Sequence, residues 1–284
     1  MLRDFLATPQ EEIKRKLPGV VDIAYEQYKR DLPRYRMANE LMNKEVVTIT
    51  PEASLNEAAR KMGEKHIGSL IVVKYKTPVG IVTERDLLSK VLAYGLLLRD
   101  GKVEDVMSYP LNGVSYNAKI KEVAKSMINR KSRLAVFDSG TLVGIITASD
   151  LIKSLPDVLE TEVKVDDFMT KEVITADEET SVINIAKIMG GQRIGSVLIT
   201  REGEPFGIFT ERDLLTAFLA RGRDLFTEVG KDCSSPLAVI PAGTSVHRTA
   251  AAMALKHIRR LPVVKNDKIV GIITARDLVE AYAK

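Results

Sequence analysis

The sequence predicts a mixed α/β (α+β) fold made of four copies of one small unit, each a three-stranded sheet with two helices. Three observations predict it. The stretch Gly-Ile-Val-Thr-Glu-Arg-Asp-Leu from Gly80 returns in closely similar form from Gly144, Gly207 and Gly271. Its threonines, Thr83, Thr147, Thr210 and Thr274, stand 64, 63 and 64 residues apart, a near-constant period that marks an internal repeat. Upstream of each copy lies one column of small and apolar residues at helical spacing.

Taken in order, residues 1–38 precede the repeats and read as a helical leader. Thr8-Pro9-Gln10-Glu11 is a capping box with proline at the first helical position, Pro18-Gly19 stops that helix, and Val20 to Leu32 can form a second. Lys14-Arg15-Lys16 reads as a solvated helix face. The repeats then occupy 39–103, 104–160, 161–228 and 229–284.

Repeat one begins with a short β-rich strand, Val46-Val47-Thr48-Ile49. Ser54-Leu55-Asn56-Glu57 opens a helix whose inner face is Leu55, Ala58, Ala59 and Met62. The same columns hold Ile120, Val123, Ala124 and Met127, then Val182, Ile185, Ala186 and Met189, then Val246, Thr249, Ala250 and Met253. A strand pair follows, Leu70 to Lys74 and Val79 to Val82, with a polar turn at Tyr75 to Pro78. A second helix follows the threonine, with Leu87, Leu88, Val91 and Leu92 as its inner face. A unit of roughly 60 residues buries too little surface to stand alone, so the repeats are expected to pair.

The pairing has a sequence signature. Repeats one and three share Ile-Gly-Ser (67–69, 194–196) and Thr-Glu-Arg-Asp-Leu-Leu, whereas two and four share Arg-Leu before the middle strand and Thr-Ala at the helix entry. This reads as a duplicated pair joined by the linker Leu155 to Val165, with shorter joins at Gly95 to Val103 and Gly222 to Gly230.

The repeated motif has two chemical readings. A threonine with an acid three residues on is a capping box that satisfies free amides at a helix start. The same strand-to-helix junction favours an anion such as phosphate: the threonine can donate to it, the aspartate can accept ribose hydroxyls, and Arg85, Arg212 and Arg276 add charge-assisted donors. His66, Lys131, Arg193 and His257 form a column of cations at helix ends. His66, His247 and His257 have no metal-ligand spacing, and Cys233 falls in the column of Met42, Met107 and Met169, as a small buried thiol would.

On the Gly-h-h-Thr-x-x-Asp motif, the Ala-rich first helix ending in methionine, and Arg-Arg-Leu-Pro-Val-Val at 259–264, the four units resemble cystathionine-β-synthase (CBS) domains. The layout is similar to that of four-repeat members such as the γ subunit of AMP-activated protein kinase. The resemblance implies two pseudo-twofold pairs, called Bateman modules, whose clefts take adenosine-containing ligands. It assigns ribose to Asp86, Asp150, Asp213 and Asp277, phosphate to Thr83, Thr147, Thr210 and Thr274, and the adenine edge to the first strands near Thr48 and Thr175. Ser149 replaces the arginine in repeat two, while Arg133 and Arg259-Arg260 occupy a position that reaches phosphates across the cleft in similar proteins.

Composition sets the remaining expectations. With 42 Lys+Arg against 38 Asp+Glu, the net charge of +4 is too small for a dedicated nucleic-acid binder. One cysteine points to a reducing, cytoplasmic setting, and no apolar run reaches the roughly 18 residues of a membrane span. No secretory signal, P-loop or catalytic cluster is seen. The expectation is a non-enzymatic regulatory protein, monomer or homodimer, that binds an adenine nucleotide (AMP, ADP or ATP; S-adenosylmethionine or NAD as variants) and acts as an energy or metabolite sensor through an unknown protein partner. The alternative is a nucleic-acid or protein interaction module.

Overall fold

The computed structural model describes residues 35–96, 98–130, 133–155 and 162–284. The expected leader helices, the Lys14-Arg15-Lys16 run, Lys131 and Pro156 lie outside the described residues.

Each repeat folds into its own three-stranded sheet: β1 (Thr48–Ile49), β2 (Ser69–Lys74) and β3 (Thr77–Thr83) in repeat one, then β4 (Gly113–Ser115), β5 (Leu134–Asp138) and β6 (Thr141–Ile146), then β7 (Thr175–Asp177), β8 (Ser196–Arg201) and β9 (Glu204–Thr210), then β10 (Ile240–Pro241), β11 (Arg260–Lys265) and β12 (Lys268–Thr274). The first strand runs parallel to the second, and the second antiparallel to the third. A parallel pair needs a crossover, and the predicted first helix of each repeat supplies it: Leu55–Glu64, Ile120–Arg130, Val182–Gly191 and Val246–Lys256.

The apolar columns read from the sequence are the buried faces of those helices. Leu55, Ala58, Ala59 and Met62 and their counterparts in the other repeats are all buried. Burial of the Leu, Ile, Val and Met side chains among them contributes about 1.5–3 kcal/mol each. Thr249, the one polar member, is fully buried because its hydroxyl donates to the Ser245 carbonyl at 2.9 Å.

The hairpins are tighter than expected. Lys74 pairs directly with Thr77, which leaves a two-residue turn at Tyr75-Lys76 with positive φ at both positions. Pro78 lies inside β3, beside a β-bulge that recurs at the same place in every repeat. The helix-end column also has a backbone role: His66, Arg193 and His257 are left-handed, with φ of 53°, 56° and 53°.

The described chain divides into two compact units that interleave along the sequence. The odd unit is Val46–Leu111 with Ile174–Leu237, joining repeats one and three. The even unit is Asn112–Val173 with Ala238–Lys284 and the segment ending at Glu45, joining repeats two and four. Like pairs with like: of the residues that make repeat one resemble repeat three, Glu84, Arg85 and Leu88 meet the other repeat.

In the odd unit the contacts are reciprocal. Of the second helix's predicted inner face, Leu87 and Val91 enter the core of repeat one, but Leu88 and Leu92 enter that of repeat three. Leu215 of repeat three enters the core of repeat one in return. Two helix glycines permit the approach: a Cβ on Gly63 would lie 2.2 Å from the Ala220 methyl, and one on Gly190 would lie 2.5 Å from that of Ala93. The even unit instead has one continuous core to which both repeats contribute, including Ile120, Met127, Leu151, Met253, Leu261 and Leu278.

Each repeat is preceded by a short lead segment that docks on the other repeat of its sequence pair. Asn43 bridges to Ile145, Ser108 to Ile81, Thr170 to Ile272 and Ser234 to Ile208. These dockings explain the motif's glycine. A Cβ on Gly80 would lie 2.7 Å from the Ser108 carbonyl oxygen, and Cβ atoms on Gly144, Gly271 and Gly207 would lie 2.5–2.6 Å from the sulfurs of Met42, Met169 and Cys233. The methionine column and the glycine column are two halves of one contact.

Candidate functional site

In every repeat the third strand runs straight into the second helix at the motif threonine, which keeps an extended conformation as N-cap. The aspartate three residues on folds back over it. Its Oδ2 accepts the threonine N–H at 2.9, 3.0, 2.9 and 2.8 Å in repeats one to four. The same oxygen accepts the threonine hydroxyl at 2.6, 2.7, 2.8 and 2.7 Å. In repeats one, three and four the hydroxyl oxygen also accepts the aspartate N–H. The aspartate half of the cap is therefore realised four times and the threonine half three times, and the hydroxyl proton assigned to phosphate is directed at the carboxylate.

What distinguishes the repeats is the second carboxylate oxygen. Asp86 Oδ1 is paired with Lys90 at 2.9 Å, and Asp150 Oδ1 with Lys153 at 3.3 Å. Asp277 Oδ1 takes no hydrogen bond from a described residue. Burial pushes the Asp277 carboxyl above its ordinary value, against the opposing pull of the Thr274 hydrogen bonds and of Arg276.

The motif arginines divide the same way. Arg85 Nε donates to Glu211 at 2.8 Å, and Arg212 Nε lies 3.3 Å from Glu84, so in the odd unit each arginine meets the glutamate that precedes its counterpart. Both glutamates are buried, with side chains 3% and 5% exposed against 29% and 50% for Arg212 and Arg85. Arg212 also donates to the His66 carbonyl at 2.6 Å. The structure thus places Arg85 and Arg212, expected as phosphate donors, in the contact between repeats one and three. The corresponding glutamate positions in the even unit are Ala148 and Ala275, and Arg276 forms no salt bridge to a described residue.

The ladder register fixes the other predicted residues. Arg260 sits directly across from Thr274, as Ser69 does from Thr83 and Ser196 from Thr210. Continuing the β5–β6 register by one residue sets Arg133 opposite Thr147. Arg259 lies one residue earlier, and its carbonyl accepts the Ala275 N–H at 2.9 Å. Thr48 and Thr175 are exposed on β1 and β7. Through Ile71 and Leu198 they lie across the sheet from Ile81 and Ile208, two residues before the motif threonines.

Sequence reasoning missed Glu84 and Glu211, although their occurrence in repeats one and three alone was a visible signal. Among the described residues no His, Cys, Asp and Glu cluster has the geometry for a metal ion, and no helix is long and apolar enough to cross a membrane. Cys233 is half-buried, its thiol donating to the Gly230 carbonyl at 3.3 Å, and burial raises its pKa.

The sequence pattern of the CBS domain matches residues 38–93, 103–157, 165–220 and 228–284. The chain belongs to the CBS-domain family. CBS-domain proteins are mostly regulatory, and their paired repeats commonly bind adenine nucleotides. A protein of Methanocaldococcus jannaschii, MJ1404, is 30% identical in an alignment of length 265 that covers 86% of this chain and 61% of that one. The chain therefore spans less than two thirds of that relative's length. Among solved structures, MJ1225 of the same organism, described as a proposed archaeal homologue of γ-AMPK, superposes with a TM-score of 0.73 at 22% identity, covering 87% of this chain and all of that one. An uncharacterised Pyrococcus horikoshii protein does so with a TM-score of 0.60 at 23% identity and the same coverage. At such identities these two show the fold. The CBS repeats here keep it while differing from one another in the charges beside the motif.

Proposed function

We propose that this CBS-domain protein is a non-enzymatic regulator that binds adenine nucleotides and senses energy or metabolite state, with repeat four as its best-equipped nucleotide site. One observation carries the choice of repeat: Asp277 keeps a carboxylate oxygen uncommitted in a partly buried setting. A ribose presents two adjacent hydroxyl donors, which suit such an acceptor. Arg260 across the ladder and Arg276 in the first helical turn supply positive charge for phosphate beside it. In repeat two the corresponding set is Thr147, Asp150 and Arg133, with Lys153 already on the carboxylate. Paired CBS repeats commonly bind adenine nucleotides, which supports the same class of ligand.

The test is isothermal titration of the full chain with AMP, ADP, ATP, NAD and S-adenosylmethionine, for the wild type and for Asp86→Asn, Asp150→Asn, Asp213→Asn and Asp277→Asn. Hydrogen bonds to a charged acceptor contribute about 1.5–3 kcal/mol, so Asp277→Asn is expected to weaken the tightest phosphorylated ligand by about 10- to 100-fold. Unchanged binding in that variant would move the site elsewhere. No binding of any ligand by the wild type would leave Thr-x-x-Asp as a helix cap alone.

A further inference from the structure

The odd and even units present the same motif in opposite electrostatic settings. In the odd unit, Glu84-Arg85-Asp86 and Glu211-Arg212-Asp213 each carry two acids to one base, and each arginine is turned toward the opposite glutamate. In repeat four, Ala275-Arg276-Asp277 carries one of each, and no glutamate stands at Ala148 to receive Arg276. The asymmetry extends to burial. The glutamate side chains are almost wholly out of water, whereas the arginines reach the surface.

A phosphate arriving from solvent would therefore have to draw Arg85 or Arg212 away from a carboxylate that has no water to replace it. Separating a buried ion pair is far more costly than rearranging an exposed one. Even without movement, the extra glutamate repels an incoming anion. Arg212 is held twice, by Glu84 and by the His66 carbonyl, so repeat three should resist more strongly than repeat one.

We propose that Glu84 and Glu211 are specificity-determining residues: they withhold the motif arginines across the repeat one to repeat three contact, so that the sites of these repeats select adenosine ligands of low negative charge. Highly phosphorylated ligands are left to repeat four. This rests on the adenosine-binding reading above. Neither glutamate touches the ligand; each acts by occupying an arginine that otherwise would.

The experiment titrates adenosine and ATP into the full chain at two salt concentrations. Sites are assigned by their loss in Asp86→Asn and Asp213→Asn. The variants are Glu84→Gln and Glu211→Gln, which keep shape and hydrogen-bonding oxygen but remove the charge, singly and together. The double variant is expected to raise the ratio of ATP to adenosine affinity at repeats one and three at least tenfold, with the gain shrinking at high salt. A ratio unchanged within twofold overturns the proposal.

The converse variant keeps the test open if the glutamine variants fail to fold. Ala148→Glu places a carboxylate opposite Arg276, by analogy with Glu84 opposite Arg212, and is expected to lower the same ratio at repeat four at least fivefold. No change there also overturns the proposal. Nucleotide binding confined to repeats two and four, before and after the glutamate changes, overturns this inference while leaving the proposed function standing. No binding at any repeat overturns both.

Discussion

Gly63→Ala should destabilise the odd unit, although alanine is the better helix former. Gly63 lies in the last turn of Leu55–Glu64, where the exchange alone would gain about 1 kcal/mol. The new methyl, however, would lie 2.2 Å from the Ala220 methyl, and 3.7 Å from its Cα. Carbon atoms rest at about 3.5–4.0 Å, so the two segments must separate by more than about 1 Å. Overpacking of that kind costs about 1–3 kcal/mol, leaving a net loss of up to about 2 kcal/mol. The contact is between two methyls, so Ala220→Gly should rescue it, with a coupling of about 1–3 kcal/mol in a double-mutant cycle. The assay is urea denaturation of the full chain, with hydrogen-exchange protection of Leu55–Glu64 as the local readout. Stabilisation by Gly63→Ala, or a coupling below about 0.3 kcal/mol, would refute the close approach and with it the pairing of repeats one and three.

Other outcomes follow from single sites. Gly80→Ala should cost more than Gly144→Ala, because the first meets the Ser108 backbone at 2.7 Å and the second the flexible Met42 side chain; paired thermal melts would show it, and equal losses would count against the lead-segment docking. Tyr75→Asn combined with Lys76→Gly should stabilise by about 0.5–2 kcal/mol in urea melts, since both turn positions have positive φ and Tyr75 is 90% exposed with little packing to lose. Asp277 is raised above its ordinary 3.8 by burial, so between that value and its folded value the native state holds more proton than the unfolded one. Wild-type stability should therefore fall as pH rises through that window, and Asp277→Asn should remove this slope; identical pH profiles would contradict the shift.

The parts of the fold legible in the sequence are those written in local spacing. Helix faces such as Leu55, Ala58, Ala59 and Met62, the strand at Thr48, and the threonine caps all depend on residues within two turns of one another. What was not legible depends on residues more than a hundred positions apart. Leu87 and Leu88 look alike as one apolar face, yet one belongs to its own repeat's core and the other to a distant one. The shared Thr-Glu-Arg-Asp of repeats one and three reads as a trace of duplication until Arg85 is seen on Glu211 and Arg212 on Glu84. The same limit held at the site. The arginines were identified as charged donors from their position beside the threonine, but their partner lay on another repeat, whereas the threonine's partner lay three residues away and was anticipated.

The interleaving of the two units has a consequence for the order in which the protein can be made. Repeat one offers Leu88 and Leu92 to repeat three, so this face stays exposed while repeat two and its linker are synthesised. At about 5–20 residues per second that interval is on the order of ten seconds, long compared with the collapse of a small chain. Repeat two, meanwhile, is complete before its own partner in the even unit exists. In a nascent chain carrying repeats one and two, repeat two presents Ser149 where Glu84 would meet an arginine and Ala148 where Arg85 would meet a glutamate. The charges that join repeats one and three thus find no counterpart in repeat two while the chain is being made.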